Sequence, residues 1–188
     1  MKPLLALSRA IDALNETVGR GACWLVLLCI LISAGNAVTR YGFSYSSNGL
    51  LEIQWYLYTL VFLGAAGYTL KHNAHVRIDL VAARLSPRTQ AWIDIFGGLF
   101  MLLPACFIIA WFGWDMFMRS FEIMERSSDA GGLIRWPAKI LVPLGFALLI
   151  LQGLSETIKR IAFLQGRIDW PGGGGHDASP LPTPAPKQ

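Results

Sequence analysis

Two carboxylates, Glu52 and Asp94, stand inside stretches that are otherwise apolar enough to cross a bilayer. A charged side chain at mid-bilayer costs roughly 2.5–3.5 kcal/mol on the insertion scale, so each is a candidate for moving protons or ions if it lies deep and faces a cavity. Neither does: Glu52 is about one helical turn from the outer end of its stretch and Asp94 about one turn from the inner end of its own. They fall in opposite leaflets and cannot share a site. Pairing is the expected fate of both, with Arg40, Arg135 or Lys139 for Glu52 and Arg20, Lys159 or Arg160 for Asp94. Gln54 is expected to hydrogen-bond a neighbouring helix.

The remaining chemistry-bearing residues are sparse. His72 and His75 fall in a loop and His176 in the C-terminal tail, so no histidine stands where a haem would need an axial ligand. Cys23, Cys29 and Cys106 are an odd number placed inside apolar runs and read as small hydrophobes, not as a disulfide framework. The run Gly172 to Gly175 lacks the Lys-Ser/Thr that a phosphate loop needs. No nucleophile–base pair, metal-ligand spacing or nucleotide fingerprint is present, so neither an enzyme nor a cofactor is expected.

The elements that must position these residues follow from composition. The 188-residue chain is 54% hydrophobic and 15% charged, with a mean hydropathy of +0.46, too apolar for a soluble domain of this length. Crossing ~30 Å of hydrocarbon takes about 20 apolar residues, and four stretches qualify: about 21–38, 50–70, 91–114 and 136–154. An all-α membrane protein with four transmembrane helices is the expected fold, its membrane domain covering residues 20–165. Of the 16 Lys and Arg, 11 fall before the first span, between the second and third, or after the fourth, and 5 on the other side. Both termini are therefore expected in the cytoplasm, as a multi-pass protein of the bacterial inner membrane. The net charge of +4 then reflects basic loops facing anionic lipid.

Residues 1–19 place Leu4, Leu7, Ile11, Leu14 and Val18 at helical spacing opposite Arg9, Asp12, Asn15 and Glu16, which predicts an amphipathic interfacial helix. A cleaved signal peptide over residues 1–37 is the weaker reading, because Asp12 and Glu16 suit no leader. Between the second and third spans, Ile78, Val81, Ala82 and Leu85 predict a short cytoplasmic interfacial helix that ends at Ser86 before Pro87. Residues 166–188, rich in Gly and Pro, are expected to be disordered. Ser33, Ala37, Gly64, Gly67, Gly97 and Gly98 permit close helix approach. Tyr41, Tyr45, Trp55, Tyr56, Trp111, Trp114 and Trp136 cluster near the interfaces as anchors. Beyond the third span, Asp115, Arg119, Glu122 and Arg126 recur at i, i+4, i+7 and i+11. They predict a wet helix extension or a contact with a soluble periplasmic partner.

Two blocks carry a family resemblance. Glu52-Ile53-Gln54-Trp55-Tyr56-Leu57-Tyr58, Phe62-Leu63-Gly64-Ala65-Ala66 and His75-Val76-Arg77-Ile78-Asp79-Leu80 form the first, and Trp136-Pro137-Ala138-Lys139, Pro143-Leu144-Gly145-Phe146 and Leu151-Gln152-Gly153 the second. Over roughly residues 20–165 the chain resembles the DctQ-like small membrane subunit of tripartite ATP-independent periplasmic (TRAP) transporters. The resemblance implies a sodium-driven solute importer in which a periplasmic solute-binding protein delivers solute to a large permease subunit, with this chain as membrane scaffold and as an aid to docking the binding protein. It also marks Glu52, Gly64, His75, Arg77 and Asp79 as recurrent positions, and with Trp55 and Asp94 these are the expected subunit-interface or structural residues. For His75, Arg77 and Asp79 a local loop clasp and a partner contact both remain open. The alternative is a self-sufficient proton-coupled exporter, which would need a deep carboxylate facing a cavity.

Overall fold

The computed structural model describes residues 2–44, 47–72 and 85–168, and the His75, Arg77 and Asp79 cluster, the helix expected around Ile78 and most of the tail lie outside them. Four helices among the described residues are long and apolar enough to cross a membrane. They are α1 (Lys2–Phe43), α2 (Asn48–Lys71), α3 (Pro87–Glu122) and α4 (Trp136–Leu164).

The amphipathic segment and the first span are one unbroken helix. With 42 residues at 1.5 Å rise, α1 is roughly 60 Å long, about twice the hydrocarbon thickness. Its inward seam repeats every seven residues through Ser8, Asn15, Ala22, Cys29 and Asn36, all buried. That is the spacing at which one helix face stays against a neighbour over many turns. The seam departs from the face expected of a surface helix: Ser8 and Asn15 point into the bundle and Leu4, Leu7 and Leu14 are exposed, while Ile11 of the expected apolar face is buried.

α3 starts four residues before the expected span. Ser86, read as the end of the preceding segment, is instead the N-cap of α3: its hydroxyl accepts from the Thr89 N–H, with Pro87 in the first turn. The helix is α-helical over Pro87–Gly97 and Leu103–Glu122 and widens to a π turn over Gly98–Leu102. Pro104, just past the wide turn, has no N–H to donate and its ring crowds the preceding turn, which the π geometry relieves. α4 shows a comparable irregularity, with Trp136–Lys139 and Leu141–Leu164 joined through Ile140 ahead of Pro143.

α4 is the hub, packing on α1, α2 and α3, while α1 and α2 pack on each other and α3 leans chiefly on α4. Lipid offers no hydrophobic drive for helix association, so close contact rests on small residues and polar bonds. A Cβ on Gly19 would fall 2.4 Å from the Tyr68 ring and one on Gly145 2.5 Å from Leu63. One on Gly67 would fall 2.1 Å from Asn15 Oδ1. The peripheral α3 turns Trp92, Phe96, Phe100, Phe107 and Trp111 outward, a surface suited to hydrocarbon or to another apolar protein face. The interfacial aromatics divide. Tyr41, Trp55 and Trp114 are exposed, but Tyr56 donates its hydroxyl to the Ile134 carbonyl at 3.0 Å and Trp136 packs edge-on against Phe121. Cys29 and Cys106 are buried, Cys23 is exposed, and all three are free thiols.

Candidate functional site

Polar side chains gather at the two ends of the bundle. At the end marked by Lys71, α1, α2 and α4 are bound by one continuous network. Asp12 accepts from the Gln152 amide and the Ser155 hydroxyl, both at 2.8 Å, and from Lys159 at 3.1 Å. Asn15 donates to Gln152 Oε1 at 3.0 Å, and the Ser8 and Ser155 hydroxyls lie 2.7 Å apart. Glu156 accepts from Gln152 at 3.1 Å and pairs with Lys159. Glu16 draws in α2, accepting from Lys71 at 2.7 Å and meeting His72 at 3.0 Å, and it also holds Arg20 at 2.9 Å. Two polar stripes at helical spacing build this clasp: Ser8, Asp12 and Asn15 on α1, and Gln152, Ser155, Glu156 and Lys159 on α4.

Asp94 joins α3 to the same end through Arg160, 3.2 Å away. Of the three cations expected for it, Arg160 is the partner, while Arg20 pairs with Glu16 and Lys159 with Asp12 and Glu156. A charge buried like Arg160, whose side chain is 3% exposed, is tolerated where an opposite charge stands beside it.

At the opposite end Glu52 is buried, but its main partner is not a side-chain cation. Its Oε2 accepts from the backbone N–H of Leu133 at 2.6 Å, and Ser127 and Arg135 supply further polar and electrostatic contact. Arg40 is exposed and Lys139 is taken by Glu125, so only Arg135 of the expected trio acts on Glu52. Glu52 thereby ties the first turns of α2 to the chain between α3 and α4. That connection folds back on itself: Ser127 N–H donates to the Leu133 carbonyl at 2.9 Å and Arg135 N–H to the Glu125 carbonyl at 2.8 Å. The Asn48 side chain adds a bond to the Ala130 carbonyl at 3.1 Å. The Lys139 ammonium beside Glu125 holds that carboxyl below the usual range.

The charged stripe on α3 is shorter than its spacing suggested. Asp115, Arg119 and Glu122 are exposed on the helix, but α3 stops at Glu122 and Met124 takes a positive φ of 47°. Arg126 therefore leaves the stripe and bridges Ile134 through its backbone. Among the described residues no ion pair links the four. Asp115 and Arg119 instead border a 410 Å³ cleft that Glu125 and Lys139 close on the other side.

Inside the bilayer, Gln54 Oε1 accepts from Ser33 at 2.7 Å, the helix-to-helix bond expected of it. Gly64 lets Val18 approach, since an added Cβ would sit 3.3 Å from it. Trp55 points outward at 71% exposure and takes no part in the internal packing. Among the described residues, the central turns of the four apolar stretches carry no carboxylate or amine. The sequence matches the family model of the DctQ component of tripartite ATP-independent periplasmic transporters over residues 11–163. The chain belongs to the DctQ family. No curated protein and no solved structure matches it. A DctQ chain is the small membrane subunit of a TRAP transporter, a multi-pass protein of the inner membrane that works with a large permease and a periplasmic binding protein. In this DctQ chain the matched region takes in both polar ends, from Asp12 to Arg160, and of the network's side chains named above only Ser8 falls outside it.

The clasp built on Asp12, Asn15, Gln152, Ser155 and Glu156 was not singled out from sequence. The signal was there as polar stripes at i, i+4 and i+7 on α1 and at i, i+3, i+4 and i+7 on α4, but polar residues flanking a span read first as solvent-facing.

Proposed function

We propose that this DctQ subunit is a passive scaffold: it braces the large permease laterally in the bilayer, helps the periplasmic binding protein to dock, and carries no solute itself. The supporting observation is the fate of its charged side chains. Asp12, Glu16, Asp94, Glu125 and Glu156 each face a cation of this same chain, and Glu52 accepts a backbone N–H. A transport route needs a polar group whose partner changes as cargo passes, whereas these groups hold helices together. On this reading the importer is sodium-coupled through the large subunit, and both termini lie in the cytoplasm, as the distribution of Lys and Arg favours. Asp115, Arg119, Glu122 and Arg126, exposed at the Arg135 end, are the residues offered to the binding protein, while His75, Arg77 and Asp79 contribute to assembly with the large subunit.

The test is co-purification of the large subunit with a tagged copy of this chain from cells expressing the whole system. Alanine at Arg77 or Asp79 is expected to lower recovery of the large subunit. Charge reversal at Arg119 and Arg126 together is expected to leave recovery intact and weaken capture of the binding protein. Full recovery with Arg77→Ala and Asp79→Ala, or unchanged capture by the reversed variant, would remove the corresponding role.

A further inference from the structure

Because α3 packs chiefly on α4, a groove is left along α4 at the Lys71 end, with Leu70 of α2 on one bank and α3 on the other. Its volume is about 560 Å³, within the range of small-molecule sites. The floor is fixed by close helix contact. A Cβ on Gly153 would meet Leu102 at 2.6 Å, and one on Gly98 would meet Thr157 Oγ1 at 3.4 Å. The bank on α3 is the π turn, a geometry that recurs at functional sites.

The groove is polar at one end and apolar at the other. Asp94, Glu156 and Arg160 line the first, where the apolar stretches 91–114 and 136–154 terminate. Met101 and Leu102, further along, lie inside the hydrocarbon-spanning part of α3. This gradient runs parallel to that of a bilayer leaflet, from headgroup to acyl chain. Two carboxylates and one guanidinium line the polar end; Asp94 pairs with Arg160, and Glu156 shares Lys159 with Asp12, so locally three carboxylates face two cations.

We infer that this groove is a binding site for a phospholipid with an ethanolamine headgroup, the acyl chain lying along Met101 and Leu102. The charges select the headgroup. A primary ammonium donates up to three hydrogen bonds to Asp94 and Glu156, while the phosphate meets Arg160. A choline headgroup has the same charge and no N–H to donate. A glycerol headgroup leaves the lipid anionic, opposite three carboxylates that share two cations. The inference rests on the groove alone and not on the scaffold reading.

The experiment is native mass spectrometry of the full-length chain in detergent, offered equimolar phosphatidylethanolamine, phosphatidylcholine and phosphatidylglycerol with identical acyl chains. The expected result is about a tenfold preference for the ethanolamine lipid, ~1.4 kcal/mol, near the low end for a hydrogen bond to a charged group. A Cβ on Gly97 meets nothing within 4 Å, so Gly97→Leu is expected to fill the groove, keep the melting temperature and lower the ethanolamine adduct about tenfold. Equal retention of the three lipids by the unaltered chain, or a preference for the glycerol lipid, overturns the inference whatever the variant does. So does an undiminished adduct in a folded Gly97→Leu. In the intact complex, a cross-linker on Gly97→Cys should capture lipid, and capture of a helix of the large subunit would assign the groove to protein instead.

Discussion

Gly67 and Gly97 offer the same substitution in opposite surroundings. A Cβ at Gly67 would fall 2.1 Å from Asn15 Oδ1 and 2.7 Å from its Cγ. Asn15 cannot swing aside freely: it is fully buried and donates to the Ile11 carbonyl at 3.3 Å and to Gln152 at 3.0 Å. Gly67→Ala therefore either pushes α1 from α2, an overpacking cost of about 1–3 kcal/mol, or sacrifices the Asn15–Gln152 bond, ~0.6–1.7 kcal/mol between membrane helices. The gain in helix propensity from Gly to Ala, ~1 kcal/mol, offsets part of this. The net expectation is destabilisation by up to about 2 kcal/mol. At Gly97 the added methyl meets nothing within 4 Å, so only the propensity gain remains and Gly97→Ala is expected to be neutral or stabilising by up to ~1 kcal/mol. Reversible unfolding in mixed micelles, with the two variants side by side, reads the difference directly. A double variant, Gly67→Ala with Asn15→Ala, should be less damaged than the two single losses combined, because the clash is gone. Gly67→Ala as stable as Gly97→Ala, or a double variant whose losses simply add, would refute the account of how α1 and α2 are held.

Gln152→Leu removes the donor to Asp12 and Glu156 and the acceptor for Asn15 at a fully buried position. It should lower unfolding stability by about 2–4 kcal/mol, and a loss under ~0.5 kcal/mol in the same micelle assay would mean that the clasp is idle. Glu52→Ala leaves the Leu133 N–H without its acceptor, so hydrogen exchange at Leu133 should accelerate while exchange in the middle of α4 stays unchanged; equal rates at Leu133 in variant and parent would count against that tie. The depressed pKa of Glu125, caused first by Lys139, means that its contribution is complete above its ordinary value of 4.5 and fades as pH falls through the lower folded value. Protection of the Arg135 amide, which donates to the Glu125 carbonyl, should accordingly weaken on acidification below about pH 4.5. Glu125→Gln should be weakly protected at every pH, and a parent protein with no acid dependence would exclude the pairing.

The four spans were legible because hydrocarbon imposes a length and a composition that few other structures share. Their continuations were not. Nothing in the composition of residues 2–19 distinguishes a helix lying on a surface from the first half of a 42-residue helix, since both are amphipathic. What decides is that the polar side of this helix finds polar partners on α4, about 140 residues away along the chain. Asp12 with Lys159 and Ser8 with Ser155 are pairings with no local signature. The Asp94–Arg160 bridge was within reach because both residues lie near the same predicted membrane boundary, so charge and depth were enough to nominate it. Glu52 was harder: its depth is visible in the sequence, but its partner is a backbone N–H in the connection before α4, and any residue but proline at 133 supplies the same donor. Ser86 was misassigned for a simpler reason. A serine before proline closes one element as readily as it caps the next, and only the Thr89 N–H pointing at its hydroxyl decides between them.

That the internal charges serve structure and not passage is tested most directly by solute uptake into proteoliposomes under an inward sodium gradient and under a proton gradient. One set holds this chain alone; the other holds it with the large subunit and the binding protein. Uptake is expected only in the complete set, with the chain alone indistinguishable from empty vesicles under either gradient. Gradient-driven flux through the isolated chain that disappears with Asp94→Asn or Glu52→Gln would contradict the account.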